Sequence, residues 1–355
     1  KIMSREIGSS FYYVETTDAN DGTLLKNISF SLSGRTALLQ IIDDIIAERA
    51  VRCVHLPSYC CESVIDPFHK RGIHVEFYEV IAEAEGVAYQ IDKASDKDII
   101  LVANYFGLGT EQTQNMELEL RNRCPGSVII RDITHSLFST HGIDGAYDYM
   151  FASIRKWSGF SDGGIASRSK GSAMRQYEKI HHIYLNKIDE AKRLKREYML
   201  GKSNDKSFFL KLFSEAEQIL DEDYAEYAIS EQSYHELQHF DIDVAASKRR
   251  QNYVKILENA ETLREKEIFP LFEQLEDEEV PLFFPVVFND KNERDRFRSY
   301  LIRNDVYCPV HWPVSALHNL NEKTRRIYDT ELSLICDQRY DSTDMERVVD
   351  LIRKY

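Results

Sequence analysis

The sequence predicts an α/β fold in which a large domain has a mostly parallel central sheet between helices, followed by a smaller α/β domain. Over the first 165 residues, short runs rich in β-branched residues alternate with helical patterns, the order typical of βαβ units. A charged helical stretch then covers 171–259, and strand-like runs return at 280–288 and 305–309. We therefore predict a large domain at 1–244 and a small C-terminal domain at 245–355.

The elements of the large domain follow from local patterns. Two helices are indicated by their ends: one at 62–71 closed by Gly72, and one at 115–123 stopped before Pro125. The charged helical stretch has one clear break, at 201–205. Strands are predicted from apolar runs at 51–56, 75–80, 99–103, 128–131 and 149–154.

Composition excludes several classes of protein. The 355 residues, 43% of them hydrophobic and 29% charged, are ordinary for a globular chain, and no apolar run reaches membrane-spanning length. A formal net charge of −14 disfavours nucleic acid and anionic membranes as partners. The N-terminus lacks the apolar segment of a secretory signal, so we expect a cytoplasmic protein.

The cysteines and histidines predict neither a disulfide framework nor a metal site. Six cysteines in a chain of this length have no zinc-knuckle spacing, and the adjacent pair Cys60 and Cys61 has no identifiable base that would activate a nucleophile. The histidine pair at 181–182, and His69 with His74, lack carboxylate or cysteine partners at metal-ligand spacing. We therefore expect reduced core thiols and no metal.

Lys156 and Asp132 together suggest a pyridoxal phosphate site. A lysine that forms an imine with a carbonyl must spend time neutral, so it belongs in a partly desolvated pocket, and Ile154 and Trp157 flank Lys156. Asp132 follows an apolar strand-like run and can serve as the carboxylate that a pyridinium nitrogen requires. The alternative for these two residues is a helix-capping aspartate and a surface lysine.

A phosphate cradle is predicted at Ser33, Gly34 and Arg35. A helix begins directly after them, so their backbone N–H groups are the unpaired ones at its N-terminus, where phosphate binds readily. Ser33 is equally suited to be a plain N-cap. The helix itself is predicted from apolar residues at helical spacing: Ala37, Leu38, Ile41, Ile42, Ile45 and Ile46.

The order of these motifs resembles the DegT-type sugar-nucleotide aminotransferase family, within the fold-type I pyridoxal phosphate enzymes. The resemblance covers nearly the whole chain. Besides the segments at 33–38, 131–136 and 153–157, the matching stretches lie at 7–9, 56–64, 104–107, 162–164 and 310–313. It implies a fold-type I architecture, pyridoxal 5'-phosphate as cofactor and a homodimer.

The resemblance also implies roles for individual residues. Lys156 is the imine-forming lysine and the base, Asp132 is the pyridinium partner, and His135 lies near the ring oxygen or the lysine. Tyr59 takes the place of the aromatic residue that stacks on the cofactor, with a half-buried loop tyrosine as its alternative. The chain departs from the family pattern at Phe151, where a phosphate-binding serine is common, and Ser153 is the candidate substitute.

The activity implied by the resemblance is transfer of an amino group from glutamate to a nucleotide-linked keto-sugar, as in polysaccharide biosynthesis. Two alternatives stay open: a lyase or dehydratase on a similar sugar, and a non-catalytic regulatory protein of the same fold. In the dehydratases that resemble this family a histidine replaces the lysine, so Lys156 favours amino transfer. Candidate substrate-contacting residues are Arg5, Phe11, Tyr12, Arg155 and His311.

Overall fold

The computed structural model describes residues 6–17, 28–83, 86–139, 145–171 and 174–355. Its strands are β1 (Ile7–Gly8), β2 (Ile28–Ser31), β3 (Cys53–Pro57), β4 (His74–Glu83), β5 (Gly86–Gln90), β6 (Ile99–Ala103), β7 (Val128–Asp132), β8 (Tyr149–Ser153), β9 (Gly164–Arg168), β10 (Phe269–Pro270), β11 (Phe284–Val287), β12 (Val306–Tyr307) and β13 (Glu331–Leu334). Its α-helices are α1 (Gly34–Glu48), α2 (Glu62–Lys70), α3 (Thr110–Arg123), α4 (His182–Met199), α5 (Ser207–Glu222), α6 (Glu231–Gln238), α7 (Ile242–Leu257), α8 (Ala260–Glu265), α9 (Lys291–Arg303), α10 (Glu322–Thr330) and α11 (Ser342–Lys354).

The chain divides into two compact units. The first comprises Lys1–Glu6, Ser10–Arg49 and Tyr149–Asp241, and the second comprises Ile7–Ser9, Ala50–Asp148 and Ile242–Tyr355. The predicted division of the sequence at residue 245 stays a prediction.

The second unit contains the parallel sheet that the sequence predicts. Strands β7, β6, β3 and β4 lie side by side in that order, with parallel pairings throughout, and β5 joins β4 as an antiparallel edge strand. Strand β6 is buried along its whole length, as expected of a strand covered by helices on both faces. Elsewhere in this unit β10, β11 and β13 form an antiparallel sheet, and β1 pairs with β12.

The strand predicted at 149–154 is present as β8, and the strands of the first unit pair antiparallel with one another. Strand β8 pairs with β9, and β9 pairs with β2. The turn between β8 and β9 closes through the Ile154 N–H donating to the Gly163 carbonyl. Helix α1 packs on this sheet through Ala37, Leu38 and other residues that recur at helical spacing.

The fold class is therefore confirmed: the protein is a mixed α/β protein with a mostly parallel sheet. Helix α3 begins at Thr110, five residues before the predicted start, because Gly109 adopts φ 65° and ends the preceding turn there. In the part of the chain that the structure describes, no helix is both long and apolar enough to cross a membrane.

Candidate functional site

The predicted site residues fall into two sets, one in each unit. The first unit holds Tyr12, Ser33, Gly34, Arg35, Ser153, Arg155 and Lys156, and the second holds Tyr59, Asp132, His135 and His311. Arg5 lies outside the described residues.

In the first unit, the start of α1 lies directly against the end of β8. A methyl group added to Gly34 would come within 3.0 Å of the Ser153 Cβ, and one added to Gly164 would come within 1.9 Å of the Ser33 carbonyl oxygen. Only glycine permits so close an approach of backbone to backbone at position 164. Ser33 and Ser153 are thereby brought together at the N-terminus of a fifteen-residue helix.

The Ser33 hydroxyl caps α1. It accepts a hydrogen bond from the Thr36 N–H at 3.2 Å and lies 2.9 Å from the Thr36 hydroxyl. Its ψ of 166° is the extended conformation typical of an N-cap. The capping alternative raised by the sequence is therefore present, and the phosphate contact stays a prediction that would use the backbone N–H groups of this turn.

Lys156 follows β8 at the end of a short 3₁₀ turn, Ile154–Lys156. Its neighbours Ile154 and Trp157 are buried, with 1% and 0% of their surfaces exposed, whereas Lys156 itself is exposed. The expectation of partly desolvated surroundings for this amine is wrong for the single chain, because the turn projects the lysine outward while its neighbours pack inward.

Arg155 and Arg35 are each held by an acidic residue of α5. Arg155 Nη1 lies 2.7 Å from Glu217 Oε1 and donates to the Tyr184 hydroxyl at 3.1 Å. Arg35 Nη2 lies 2.7 Å from Asp221 Oδ1. A phosphate or substrate carboxylate that bound these two guanidinium groups would have to compete with α5 carboxylates.

Glu217 is the residue of this region that sequence reasoning missed. Burial raises the pKa of its carboxyl, but Arg155, Lys156 and Arg35 outweigh that effect and leave the pKa below its ordinary value. One carboxylate therefore interacts with three predicted site cations. We call Arg35, Arg155 and Lys156 the cationic group. Its members are distant in sequence from Glu217, so no local motif could have identified this partner.

Tyr12, the candidate for substrate contact, packs within the first unit. Its ring contacts the apolar cluster of Tyr198, Met199 and Phe209, and the Lys195 ammonium lies 5.8 Å from its centroid. These contacts hold the ring against α4 and α5, and a substrate role for Tyr12 stays a prediction.

In the second unit, Asp132 is the last residue of β7 and is only partly buried. Its Oδ1 accepts a hydrogen bond from the Thr134 N–H at 2.8 Å. Burial raises the pKa of Asp132 to about 6, although the hydrogen bonds from Thr134 lower it. A cation placed beside this carboxylate would favour its ionised form.

His135 is buried, and the Phe106 N–H donates to its Nδ1 at 3.2 Å. The neutral ring therefore carries its proton on Nε2 and can donate a hydrogen bond from that atom. Gly107 supports this arrangement because its φ of 81° and the Val280 carbonyl oxygen, 2.1 Å from where a Cβ would stand, exclude a side chain.

Tyr59 is fully buried, so its ring presents no exposed face. Its centroid lies 4.9 Å from that of Trp312, 5.0 Å from that of Tyr328 and 5.2 Å from that of Tyr105. Burial raises the pKa of the Tyr59 hydroxyl well above its usual value. The half-buried alternative is wrong because three rings enclose Tyr59. Stacking on a cofactor would require a neighbouring ring to move.

Trp312 connects Tyr59 to the two histidines. Its ring centroid lies 5.4 Å from that of His135 and 5.1 Å from that of His311. We call Tyr59, His135, His311 and Trp312 the aromatic group. Trp312 is the partly exposed member, which makes it the ring best able to change position.

His311 is held by a buried polar chain that the sequence did not reveal. Its Nδ1 lies 2.9 Å from the Ser333 hydroxyl, which in turn donates to Glu331. The His311 N–H also donates to Glu331 Oε2 at 2.8 Å. Glu331 is fully buried, so these bonds supply the partners that its carboxylate needs in the protein interior.

Cys60 is one of the two adjacent cysteines considered as a nucleophile. It is buried, and burial raises the pKa of its thiol well above the ordinary value. Its backbone serves a structural purpose, since the Cys60 N–H donates to the Tyr328 hydroxyl at 3.0 Å. The charges of Cys61 and Asp132 raise the pKa of this thiol further, so they do not activate it.

The sequence matches no protein-family model and no curated protein. Solved structures do match. PseC of Helicobacter pylori, an aminotransferase involved in the biosynthesis of pseudoaminic acid, is 13% identical, with a TM-score of 0.65 over 98% of this chain and 98% of that chain. The chain has the fold of this aminotransferase.

Two further structures show the same similarity. Spr1654 of Streptococcus pneumoniae, named for a sugar aminotransferase activity, is 12% identical in its pyridoxal phosphate form, with a TM-score of 0.64 over 98% of each chain. The aminotransferase TlmJ of Streptoalloteichus hindustanus is 13% identical, with a TM-score of 0.63 over 92% of this chain and 85% of that chain. The resemblance predicted from sequence is thus confirmed at the level of the fold.

Proposed function

We propose that the protein is a pyridoxal phosphate-dependent aminotransferase that moves an amino group from glutamate to a nucleotide-linked keto-sugar. The observation that carries this proposal is the fold shared with sugar aminotransferases over nearly the full length of the chain, including one whose structures are of pyridoxal phosphate and pyridoxamine phosphate forms. The proposal includes the homodimer that the resemblance implies and the cytoplasmic location expected from the sequence.

Residues of the second unit fit the ring of this cofactor. Asp132 offers a carboxylate whose pKa of about 6 would fall beside a pyridinium, so the pair would hold the ring nitrogen protonated. His135 offers an Nε2–H donor because its Nδ1 already accepts from Phe106. When bound, pyridoxal phosphate supplies an electron sink for the charge left on the substrate carbon.

Residues of the first unit fit the phosphate and the reacting amine. The N-terminus of α1 offers backbone N–H groups and the favourable end of the helix dipole, next to Ser153. Arg35 and Arg155 add positive charge once they leave the carboxylates of α5. Lys156 provides the amine that binds the cofactor and that accepts and returns the substrate proton at Nζ.

A second candidate is a non-catalytic protein of the same fold. The observation that favours it is the packing around Tyr59, whose ring is enclosed by Trp312, Tyr328 and Tyr105. If Trp312 does not move, the ring of a cofactor cannot stack on Tyr59.

The two candidates are distinguished by the amino-donor half-reaction. Purified protein is loaded with pyridoxal phosphate, freed of excess cofactor and mixed with glutamate. The proposal predicts conversion of the absorption spectrum to the pyridoxamine form and release of one equivalent of 2-oxoglutarate, reversed by a nucleotide keto-sugar. A spectrum that ignores glutamate and every other amino acid would favour the non-catalytic protein.

A further inference from the structure

A buried polar cluster lies at the start of strand β3, and the proposed function does not use it. Cys53 and His55 lie on β3 and Asp98 immediately precedes β6, and their exposed fractions are only 1%, 3% and 1%. Cys53 Sγ lies 3.6 Å from His55 Nε2 and 3.4 Å from Asp98 Oδ1, and His55 Nε2 lies 3.0 Å from Asp98 Oδ2. Tyr59 follows the other end of the same strand, so this cluster is separate from the aromatic group.

The sulfur–nitrogen separation is close to one edge of a zinc coordination tetrahedron. With a thiolate at about 2.3 Å and nitrogen and oxygen ligands at about 2.0 Å, tetrahedral angles place sulfur about 3.5 Å from either ligand atom and nitrogen about 3.3 Å from oxygen. Cys53 Sγ lies 3.6 Å from His55 Nε2, but it contacts Asp98 Oδ1 at 3.4 Å while His55 Nε2 contacts Oδ2 at 3.0 Å, so the carboxylate would turn to present one oxygen to an ion. Thiolate, imidazole and carboxylate are the donor types that zinc selects.

Glu76 completes the surroundings of the imidazole. Its Oε2 lies 3.7 Å from His55 Nδ1, the nitrogen that the cluster leaves unused. Metal-bound histidines commonly direct the second ring nitrogen toward a carboxylate, which fixes the tautomer and strengthens the ligand. In this structure His55 Nε2 donates to the Asp98 carboxylate, and Glu76 is placed to favour the other tautomer, with the proton on Nδ1, when a metal takes Nε2.

Arg52 is the group that competes with a metal. Its Nη2 lies 2.6 Å from Asp98 Oδ2 and its Nε lies 2.8 Å from Oδ1, so it holds both carboxylate oxygens. The Arg52 side chain is 51% exposed, which gives the guanidinium a route into solvent. An arriving divalent cation would replace its charge.

We propose that Cys53, His55 and Asp98 form a zinc-binding site whose position is taken by the Arg52 guanidinium when the metal is absent. On binding, the Cys53 thiol loses its proton to solvent, the His55 imidazole exchanges its Nε2 proton for one on Nδ1 and binds through Nε2, and Asp98 exchanges Arg52 for the ion. The thiolate and carboxylate together balance the charge of Zn²⁺. The sequence did not predict this site because Asp98 lies far from Cys53 and His55 along the chain.

The test is a calorimetric zinc titration of the full-length, untagged protein, with bound metal counted by elemental analysis after dialysis. We expect one zinc ion per chain, and we expect Arg52→Ala to bind zinc more tightly than the unaltered protein. When Co²⁺ is added instead, we expect the d–d absorption bands in the red region that are typical of tetrahedral cobalt. Cys53→Ser is expected to weaken zinc binding by more than the roughly 10- to 100-fold that follows removal of a residue hydrogen-bonded to a metal ligand. The matched control Cys124→Ser, at another buried thiol, is expected to bind zinc like the unaltered protein.

Two results would overturn the proposal. One is a failure of both the unaltered protein and Arg52→Ala to bind zinc. The other is equal zinc affinity in Cys53→Ser and Cys124→Ser, which would place any bound metal elsewhere. If Cys53→Ser does not fold, Glu76→Gln replaces it, with an expected loss of about 10-fold in zinc affinity. Unchanged affinity in that variant would count against the site.

Discussion

The cationic group and the aromatic group differ in their exposure to solvent and in the kind of interaction that holds their side chains. The cationic group carries charges near the protein surface, and acidic residues of α5 hold two of its members, Arg35 and Arg155. The aromatic group is largely buried, and hydrogen bonds orient its histidines: His311 through Ser333 and Glu331, and His135 through the Phe106 N–H. The first is suited to exchanging ionic partners, whereas the second is suited to fixing the orientation and protonation of rings.

Asp132→Asn is expected to have the largest effect among changes near the aromatic group. An amide cannot hold a proton on the ring nitrogen, so we expect transamination to slow by at least about 100-fold, as when one electrostatic partner is removed from other active sites. The measurement is the rate of the glutamate half-reaction in single turnover. The matched control is Asp329→Asn, at a partly exposed ion pair with Arg325, and a rate loss in the control equal to that of Asp132→Asn would contradict this role.

The same carboxylate predicts a pH dependence. Because the pKa of Asp132 is raised to about 6 in the cofactor-free protein, the ionised form is lost as pH falls through that value. We therefore expect pyridoxal phosphate affinity to weaken by up to about 10-fold for each pH unit below about 6. The stability of the cofactor-free protein depends on pH in the opposite direction. Because the pKa of Asp132 is higher in the folded than in the unfolded state, this group stabilises the folded state as pH falls from about 6 toward its unfolded pKa.

Equilibrium dialysis between pH 5 and pH 8 measures the cofactor affinity, and thermal unfolding measures the stability. Asp132→Asn should remove both pH dependences. An affinity profile that is the same in the variant would assign the titration to another group.

Ser333→Ala tests the polar chain behind His311. The substitution removes the hydroxyl 2.9 Å from His311 Nδ1 and leaves Glu331 one partner short. We expect the rate of amino transfer to the sugar to fall by about 10-fold, since one hydrogen bond near a charged group contributes about 1.5 kcal/mol. If Ser333 positions His311 for the reaction, the pH profile of kcat should shift in the variant. An unchanged profile together with lower thermal stability would indicate that Ser333 has a purely structural role.

Glu217→Gln is expected to have the smallest effect of these substitutions, and it is expected to strengthen ligand binding where the others impair function. Removing its charge releases Arg155, so we expect pyridoxal phosphate or inorganic phosphate to bind about three- to fivefold more tightly, in keeping with an ion pair whose carboxylate is 56% exposed although its arginine is mostly buried. The control is Glu215→Gln, which removes an α5 carboxylate paired with Lys187 instead. Weaker binding by Glu217→Gln would mean that Glu217 orders Arg155 for the ligand and does not compete with it.

The sequence predicted those elements whose signal is local. Strand β6 has the predicted bounds because its run of buried aliphatic residues has no competing interpretation, and α1 follows the helical spacing after Ser33. Strands β2 and β9 were missed because they are short and carry serine and glycine, and their pairing is decided by hydrogen bonds between distant segments.

The same distinction applies to the candidate site. Lys156 and Asp132 stand at strand ends, where residue type and position could be read from the chain. Glu217 and Glu331 act on Arg155 and His311 across 62 and 20 residues of sequence, and Trp312 covers Tyr59 only through packing. Such contacts depend on tertiary structure, so no spacing rule predicts them.

Reductive trapping is the decisive test of covalent pyridoxal phosphate binding by Lys156. The loaded protein is treated with borohydride, digested and mapped by mass spectrometry, alongside Lys156→Ala and the exposed-lysine control Lys170→Ala. We expect one reduced cofactor on Lys156 in the unaltered protein and in Lys170→Ala, and none in Lys156→Ala. A reduced cofactor on another lysine, or one retained stoichiometrically in Lys156→Ala, would show that Lys156 is not the cofactor-binding lysine.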